Sequence, residues 1–264
     1  MYDFNYLRPS SVADAVKALG EEDAQALSGG QTLIPTLKQR LGRPSVLVDL
    51  TGIADLVGIS ASGDAVTIRG ATTHAAVANS ADVQKAIPAL AALAGHIGDP
   101  QVRNRGTIGG SVANNDPAAC YPAAVLGLGA MVITDRREIA ADDYFQGMFT
   151  TALEEGEIVI AVRFPRPGKA NYQKFVQPAS RFALTGVFAA KLAGGVRVAV
   201  TGASESGVFR WSEAEKALAS NWSPDAIANL SVSADGMIGD IHGSPEYRAH
   251  LVKVMTKRAV AAAS

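Results

Sequence analysis

Two short runs decide how this chain reads: SGGQT at 28–32 and GTIGGS at 106–111. Each places paired glycines between a short apolar stretch and a following element. Glycine lets backbone approach another group closely because no Cβ intervenes. Successive amides in such a turn can face one anion, and Ser28, Thr32, Thr107 and Ser111 add hydroxyl donors. A helix predicted over 33–41, stopped by Gly42, would turn its positive end to the same anion. Two such turns brought together suit a diphosphate. A glycine pair is also the ordinary means of making a tight turn, and that plain reading stands beside the first.

Working outward, the first two thirds alternate short strands and helices. Ser11, with Asp14 three residues on, caps a helix whose apolar face is Val12, Ala15, Val16 and Leu19. A short strand is expected at 26–27. VLVDL at 46–50 alternates too little for a half-exposed strand and reads as buried. Residues 56–71 form a hairpin about the turn 61–64, Thr72 or Thr73 opens a helix, and 88–95 makes another. The run 98–111 reads as a loop leading to a helix at 122–128 and a strand at 130–134, and 158–165 is a further strand. PRPGKAN at 165–171 interrupts the pattern as a linker would. Beyond it come three strands, the last two joined at Gly194-Gly195. A capping box at Ser212 and Glu215 follows, then a long helix opened by Ser244-Pro245. The class is α+β, in two units.

Composition narrows the chemistry. Of 264 residues 48% are hydrophobic and 19% charged, which is globular rather than disordered. The net charge of −1 predicts neither a nucleic-acid footprint nor a membrane-surface patch. The lone Cys120 permits no internal disulfide and no iron–sulfur cluster on this chain, and the four histidines lack zinc spacing. The N-terminal run lacks the basic and apolar segments of a signal peptide, and no stretch is apolar enough to span a membrane, so a cytoplasmic location is expected. A Walker loop is absent, and GLGAMV (127–132) lacks the third glycine of a dinucleotide fingerprint and precedes its strand.

Five segments together, YDFNYLRPSSVADAV (2–16), LSGGQTLIPTLKQRL (27–41), GDPQVRNRGTIGGSVANNDPAACYPAAVLGLGA (98–130), EGEIVIAVRFPRP (155–167) and DIHGSPEYRAHLVKVMTKRAV (240–260), resemble the medium, FAD-binding subunit of molybdenum hydroxylases, carbon monoxide dehydrogenase type. The resemblance implies a two-part FAD-binding domain of the vanillyl-alcohol-oxidase (PCMH) type over 1–168, with subdomains about 1–54 and 55–168. A C-terminal domain over 169–264 would carry a small three-stranded antiparallel sheet with helices. It implies FAD held through its diphosphate by Ser28, Gly29, Gly30, Gln31 and Thr32 and by Thr107, Ile108, Gly109, Gly110 and Ser111, with Ile97 beside the cofactor and Lys174 reaching the flavin region. Molybdopterin and [2Fe-2S] clusters would sit on large and small partner subunits, in a dimer of heterotrimers. Electrons would leave through FAD to an external acceptor such as a quinone, with no catalytic base on this chain. A self-sufficient FAD-dependent oxidase of the same fold and a non-catalytic assembly subunit are the alternatives.

Two departures stand out. Ser28 replaces the alanine usual in relatives. Cys120 stands where relatives often carry an aspartate that hydrogen-bonds the ribityl chain, and a thiol is a weak donor and a poor acceptor. Cys120 reads as a small buried hydrophobe or as a redox-active thiol near the flavin. Arg103 and Arg105 suit either a phosphate or loop and subunit contacts, His96 either an approach to the flavin or a helix cap, and Phe182 either the core or the face of a flavin ring.

Overall fold

The computed structural model describes residues 1–264. Three sheets organise the chain, with a separate two-stranded hairpin. The first sheet is parallel: Val46–Asp49 lies between Asn5–Leu7 and Ala24–Leu27. Parallel neighbours need a crossover, and the helix Val12–Leu19 provides it. Ser11 caps that helix by accepting from the Asp14 amide at 3.1 Å, and Ala15 and Leu19 face inward. All four residues of Val46–Asp49 are buried, as the unalternating run required.

The second sheet is antiparallel, in the order Ile59–Ser62, Ala65–Arg69, Val159–Pro165, Met131–Thr134, Glu138–Ala140. Its apolar side shares one core with the helices Pro88–Gly95, Ile108–Asn114 and Tyr121–Gly127. Thr73 rather than Thr72 caps the helix His74–Asn79, because the Thr72 hydroxyl is engaged by Gly58.

Residues 166–168 connect this sheet to the third, which is antiparallel in the order Lys169–Val176, Ala183–Leu192, Gly195–Thr201, Phe209–Arg210. Four strands replace the expected three. The fourth is two residues long and pairs only Phe209 and Arg210 with Val200 and Ala199, too little for any periodic pattern. The 18-residue helix Pro245–Ala262 packs against this sheet, capped by Ser244. No helix is long and apolar enough to cross a membrane.

Three local expectations change. The helix predicted over 33–41 ends at Lys38. Arg40 takes φ +60, its amide donates to Leu37 and that of Leu41 donates to Thr36, which is the Schellman geometry with arginine in the glycine position. The predicted loop 98–111 holds the helix Pro100–Arg105 and the first turn of Ile108–Asn114. Asp99 caps the first at the Val102 amide (2.9 Å), and Thr107 caps the second at the Gly110 amide (3.2 Å). Ser212 is no cap. Glu215 instead accepts from the Val198 amide (2.9 Å) and from both arms of Arg210 (2.8 and 2.6 Å), tying the helix Ser212–Ser220 to the sheet.

Candidate functional site

A cavity of about 1300 Å³ opens where the three sheets meet. That exceeds the roughly 300–1,000 Å³ of a site for a drug-sized ligand. Its first wall is the turn following Ala24–Leu27. Here the amides of Gly29, Gly30, Gln31 and Thr32 donate to no protein acceptor, so four N–H groups in sequence remain for a ligand. The Gln31 side chain folds back onto the Gly29 carbonyl at 3.1 Å, which stiffens the turn.

The second glycine segment behaves differently. The Ile108 amide donates to Thr72 (3.1 Å), that of Gly109 to Gly70 (2.8 Å) and that of Ser111 to the Thr107 carbonyl (3.0 Å). With Gly110 bound to the Thr107 hydroxyl, this segment has spent its amides within the protein. What it offers the cavity is the hydroxyls of Thr107 and Ser111 and the bare surface of Gly110. The two segments touch: Ser28 Oγ and Thr107 Oγ1 are 2.9 Å apart. Gly29 permits that contact, since a Cβ there would stand 2.1 Å from the Arg105 carbonyl oxygen. At Gly110 a Cβ would meet the Thr107 hydroxyl at 3.0 Å and Ser28 Cβ at 3.9 Å, filling the cradle between the segments.

Of the residues named from sequence, Ser28, Gly29, Gly30, Gln31, Thr32, Ile97, Thr107, Gly109, Gly110 and Ser111 line the cavity, as does Phe182, whose ring meets His242 edge-on at 5.4 Å. Ile108, Cys120 and Lys174 do not. Ile108 is wholly buried in the core, its side chain directed inward by the helix it begins. Cys120 is buried behind Ala118 and Ala119, which do face the cavity. Lys174 donates to the carbonyls of His96 (2.7 Å) and Arg181 (3.0 Å) and approaches Cys120 Sγ at 3.6 Å, so its ammonium is consumed in a clamp behind the wall. His96 does end its helix, taking the C-cap position after Gly95. Arg103 donates to the Ile97 and Gly98 carbonyls, shaping the loop that carries Ile97. Arg105 does not line the cavity; its carbonyl is the group against Gly29.

Several residues in or behind the wall escaped the sequence reading. Asn115, in the left-handed region at φ 43, donates to Gly147 (2.7 Å) and Thr150 (2.9 Å) and so holds the hairpin whose tip, Met148, reaches the cavity. Asp116 accepts from the Ala118 amide (2.8 Å). The loop 116–119 is pinned to the third sheet by Thr201, whose hydroxyl reaches the Pro117 and Ala119 carbonyls, and by the Gly202 amide on Pro117 (2.7 Å). Arg248 is 2% exposed; its guanidinium donates to the Leu184 (2.7 Å) and Gly202 (2.6 Å) carbonyls and to Asp240 (2.6 Å). Burial opposes ionisation of Asp240, but the His242 amide and Arg248 outweigh it and hold its carboxyl below the usual range. The positional signal for Arg248 was present, since it is a cation four residues into an otherwise apolar helix face, but nothing local names its three acceptors.

His74 also lines the cavity. Burial, aided by the positive charge of Arg103, pushes its imidazole down to about 4, so it is neutral at pH 7. The folded pKa lies below the unfolded value of 6.5, so the unfolded chain binds the extra proton between pH 6.5 and 4. Stability is therefore expected to fall by on the order of 3 kcal/mol across that window as pH drops. Urea midpoints of the wild type and His74→Asn, taken from pH 7 to 4, check this: the wild type loses more, and equal slopes refute it.

Residues 2–167 match the family described as the FAD binding domain in molybdopterin dehydrogenase. The chain is 37% identical over 270 residues to the nicotine 6-hydroxylase medium subunit of Paenarthrobacter nicotinovorans, covering 97% of this chain and 95% of that one. It is 36% identical over 274 residues to the carbon monoxide dehydrogenase medium chain of Afipia carboxidovorans, with 97% and 95% covered. Among solved structures, a chain of reconstituted CO dehydrogenase from Oligotropha carboxidovorans superposes with a TM-score of 0.89 at 34% identity, over 98% of this chain and 97% of that one. With its glycine turns, its cavity and its third sheet all inside those matches, the chain belongs to the FAD-binding-domain family of molybdopterin dehydrogenases, as a subunit of the medium type.

Proposed function

We propose that this oxidoreductase subunit holds FAD in the cavity with its diphosphate against residues 28–32, 107, 110 and 111, in the domain spanning about 1–168. The observation that carries the reading is the set of four unpartnered amides at Gly29–Thr32, joined through Ser28 and Thr107 to the open surface of Gly110. The residues present fit the group. Amides meet a diphosphate without a counter-cation, and the one guanidinium on the wall, Arg248, is committed to Asp240 and two carbonyls. Ile97 and Phe182 offer apolar surface to the ring system.

The chemistry FAD supplies when bound is acceptance of electrons released at a molybdopterin on a large partner subunit and relayed by [2Fe-2S] clusters on a small one, and their delivery to an external acceptor such as a quinone. This chain's own residues orient the cofactor and shape its surroundings. Asn115 sets the Met148 hairpin, Lys174 draws the Ile97 and Phe182 segments together, and Arg248 fixes the third wall. No proton transfer to an organic substrate is assigned to this chain. The proposed setting is a cytoplasmic dimer of heterotrimers.

The test is flavin content. The purified full chain, incubated with FAD and desalted, is expected to retain about one FAD per chain, read from the flavin absorbance. A colourless chain that still binds its partner subunits would mark an assembly subunit instead, and turnover of a small substrate by the isolated chain would mark a self-sufficient oxidase.

A further inference from the structure

The cavity wall carries a side chain that the cradle of residues 28–32, 107, 110 and 111 leaves out. The amide of His74 donates to the Gly106 carbonyl (2.9 Å), which fixes the residue beside the second glycine segment. Its imidazole is 5% exposed, yet it lines the cavity together with Gly106, Val102 and Ile97. Nδ1 is fully buried and has no hydrogen-bond partner. Nε2 is turned to Gly106: a Cβ there would stand 2.6 Å from Nε2 and 2.9 Å from Cδ2, so only glycine leaves this edge of the ring uncovered. Gly106 in turn abuts the first glycine turn, since a Cβ on Gly29 would stand 2.7 Å from the Gly106 Cα. The imidazole, Gly106 and the turn with four free amides thus stand in series. A buried polar group without a partner is costly, and the neighbouring side chains do not offset the cost. The ring of Tyr121, 5.3 Å away between centroids, bears a phenol that burial keeps protonated, and the charged group acting on His74 is the cation Arg103. What this corner lacks is an anion.

We propose that His74 is a cofactor-binding residue, its Nε2–H donating to a phosphate oxygen of FAD at the end of the row that begins with the amides of residues 29–32. The inference rests on the reading of the cavity as the FAD site and adds to it a donor whose charge can change on binding. With the proton on Nε2, Nδ1 is the unprotonated nitrogen and needs no acceptor. The negative charge of a diphosphate favours the protonated ring, so the pKa, about 4 in the chain alone, rises in the complex. The complex then holds this proton more tightly than the free chain does, and the affinity for FAD increases as the pH falls.

The test titrates the full chain with FAD at pH 7.5 and 5.5, read from flavin fluorescence. At pH 7.5 His74→Leu is expected to bind FAD about tenfold more weakly, as loss of one hydrogen bond to a charged oxygen gives. His74→Gln, whose amide keeps a donor, is expected to recover part of that loss. A bound-state midpoint of about 6 corresponds to wild-type binding about fourfold tighter at pH 5.5 than at pH 7.5, a gain that both variants lack. A measurement on the wild type alone removes any dependence on how the variants fold. The carbon-13 NMR signal of the His74 imidazole, assigned by its absence from His74→Gln, is expected to titrate at a higher pH with FAD than without. An unchanged midpoint, or equal affinities of the wild type and His74→Leu at both pH values, overturns the proposal and leaves the reading of the cavity in place. A wild type that takes up no FAD overturns both.

Discussion

Replacing Gly110 by valine is expected to lower the affinity for FAD by at least about 100-fold while the chain still folds, since each factor of ten corresponds to about 1.4 kcal/mol and a branched side chain here displaces the ligand from the only gap between two fixed segments. Gly110 occupies the first turn of the helix Ile108–Asn114, where a side chain raises helix propensity rather than lowering it. The Cβ must push the Thr107 hydroxyl back by a few tenths of an ångström, and the rest of the side chain enters the cradle next to Ser28. The adjacent glycine provides the contrast. A Cβ on Gly109 would stand 2.7 Å from the Gly70 carbonyl oxygen, a backbone atom that cannot swing aside. Gly109→Ala should therefore cost about 1–3 kcal/mol of stability through overpacking, whatever happens at the cofactor. Flavin titration with parallel urea unfolding separates the two. Unchanged flavin affinity in Gly110→Val would remove the diphosphate from this cradle.

Arg248→Met is expected to destabilise the chain by about 1–3 kcal/mol, the cost of leaving buried polar groups without their partner. For a chain of this length that corresponds to a fall of roughly 5 °C in Tm. The guanidinium serves three acceptors at 2.6–2.7 Å, two of them backbone carbonyls at the ends of neighbouring strands. Methionine fills much of the volume but leaves the Gly202 carbonyl without its side-chain donor and the Leu184 carbonyl with only the Thr185 hydroxyl. Arg248→Lys should recover only part of the loss, because an ammonium cannot present the planar fork that reaches both strands and Asp240 at once. Asp240→Asn should cost much less, since that carboxyl side chain is 36% exposed and water can replace the lost bond. A loss below 1 kcal/mol in Arg248→Met, measured by urea unfolding, would show that the third wall does not depend on this residue.

Local signals carried most of the architecture. Ser11, Thr73, Asp99, Thr107 and Ser244 each cap a helix with a side-chain oxygen, and each is a residue whose chemistry makes it a cap wherever an apolar periodic run follows. The misread stretch 98–111 held two of these caps. Its glycines and charges disguised two short helices as a loop, because six- and seven-residue helices leave almost no periodicity to read. Arg40 ending a helix in the left-handed region, where glycine is the usual sign, and the two-residue strand Phe209–Arg210, too short for a period, leave the sequence pattern silent. Glu215 the pattern misplaces: a capping box assigns it to its own helix, whereas the fold gives it to Val198 and Arg210.

At the site the division is similar. Sequence by itself determined that two glycine-rich turns with hydroxyl neighbours exist, that the chain has a single thiol, and that its segments belong to a flavin-binding family. Tertiary structure alone decided which amides remain for a ligand: those at Gly29–Thr32, while those at Ile108, Gly109 and Ser111 are consumed by Thr72, Gly70 and Thr107. It likewise placed Ile108, Cys120 and Lys174 behind the cavity wall and Arg248 upon it. The physical reason is that a residue's conformational range and chemical type are local properties, whereas the partner of a hydrogen-bonding group is set by whichever distant segment packing brings within about 3 Å.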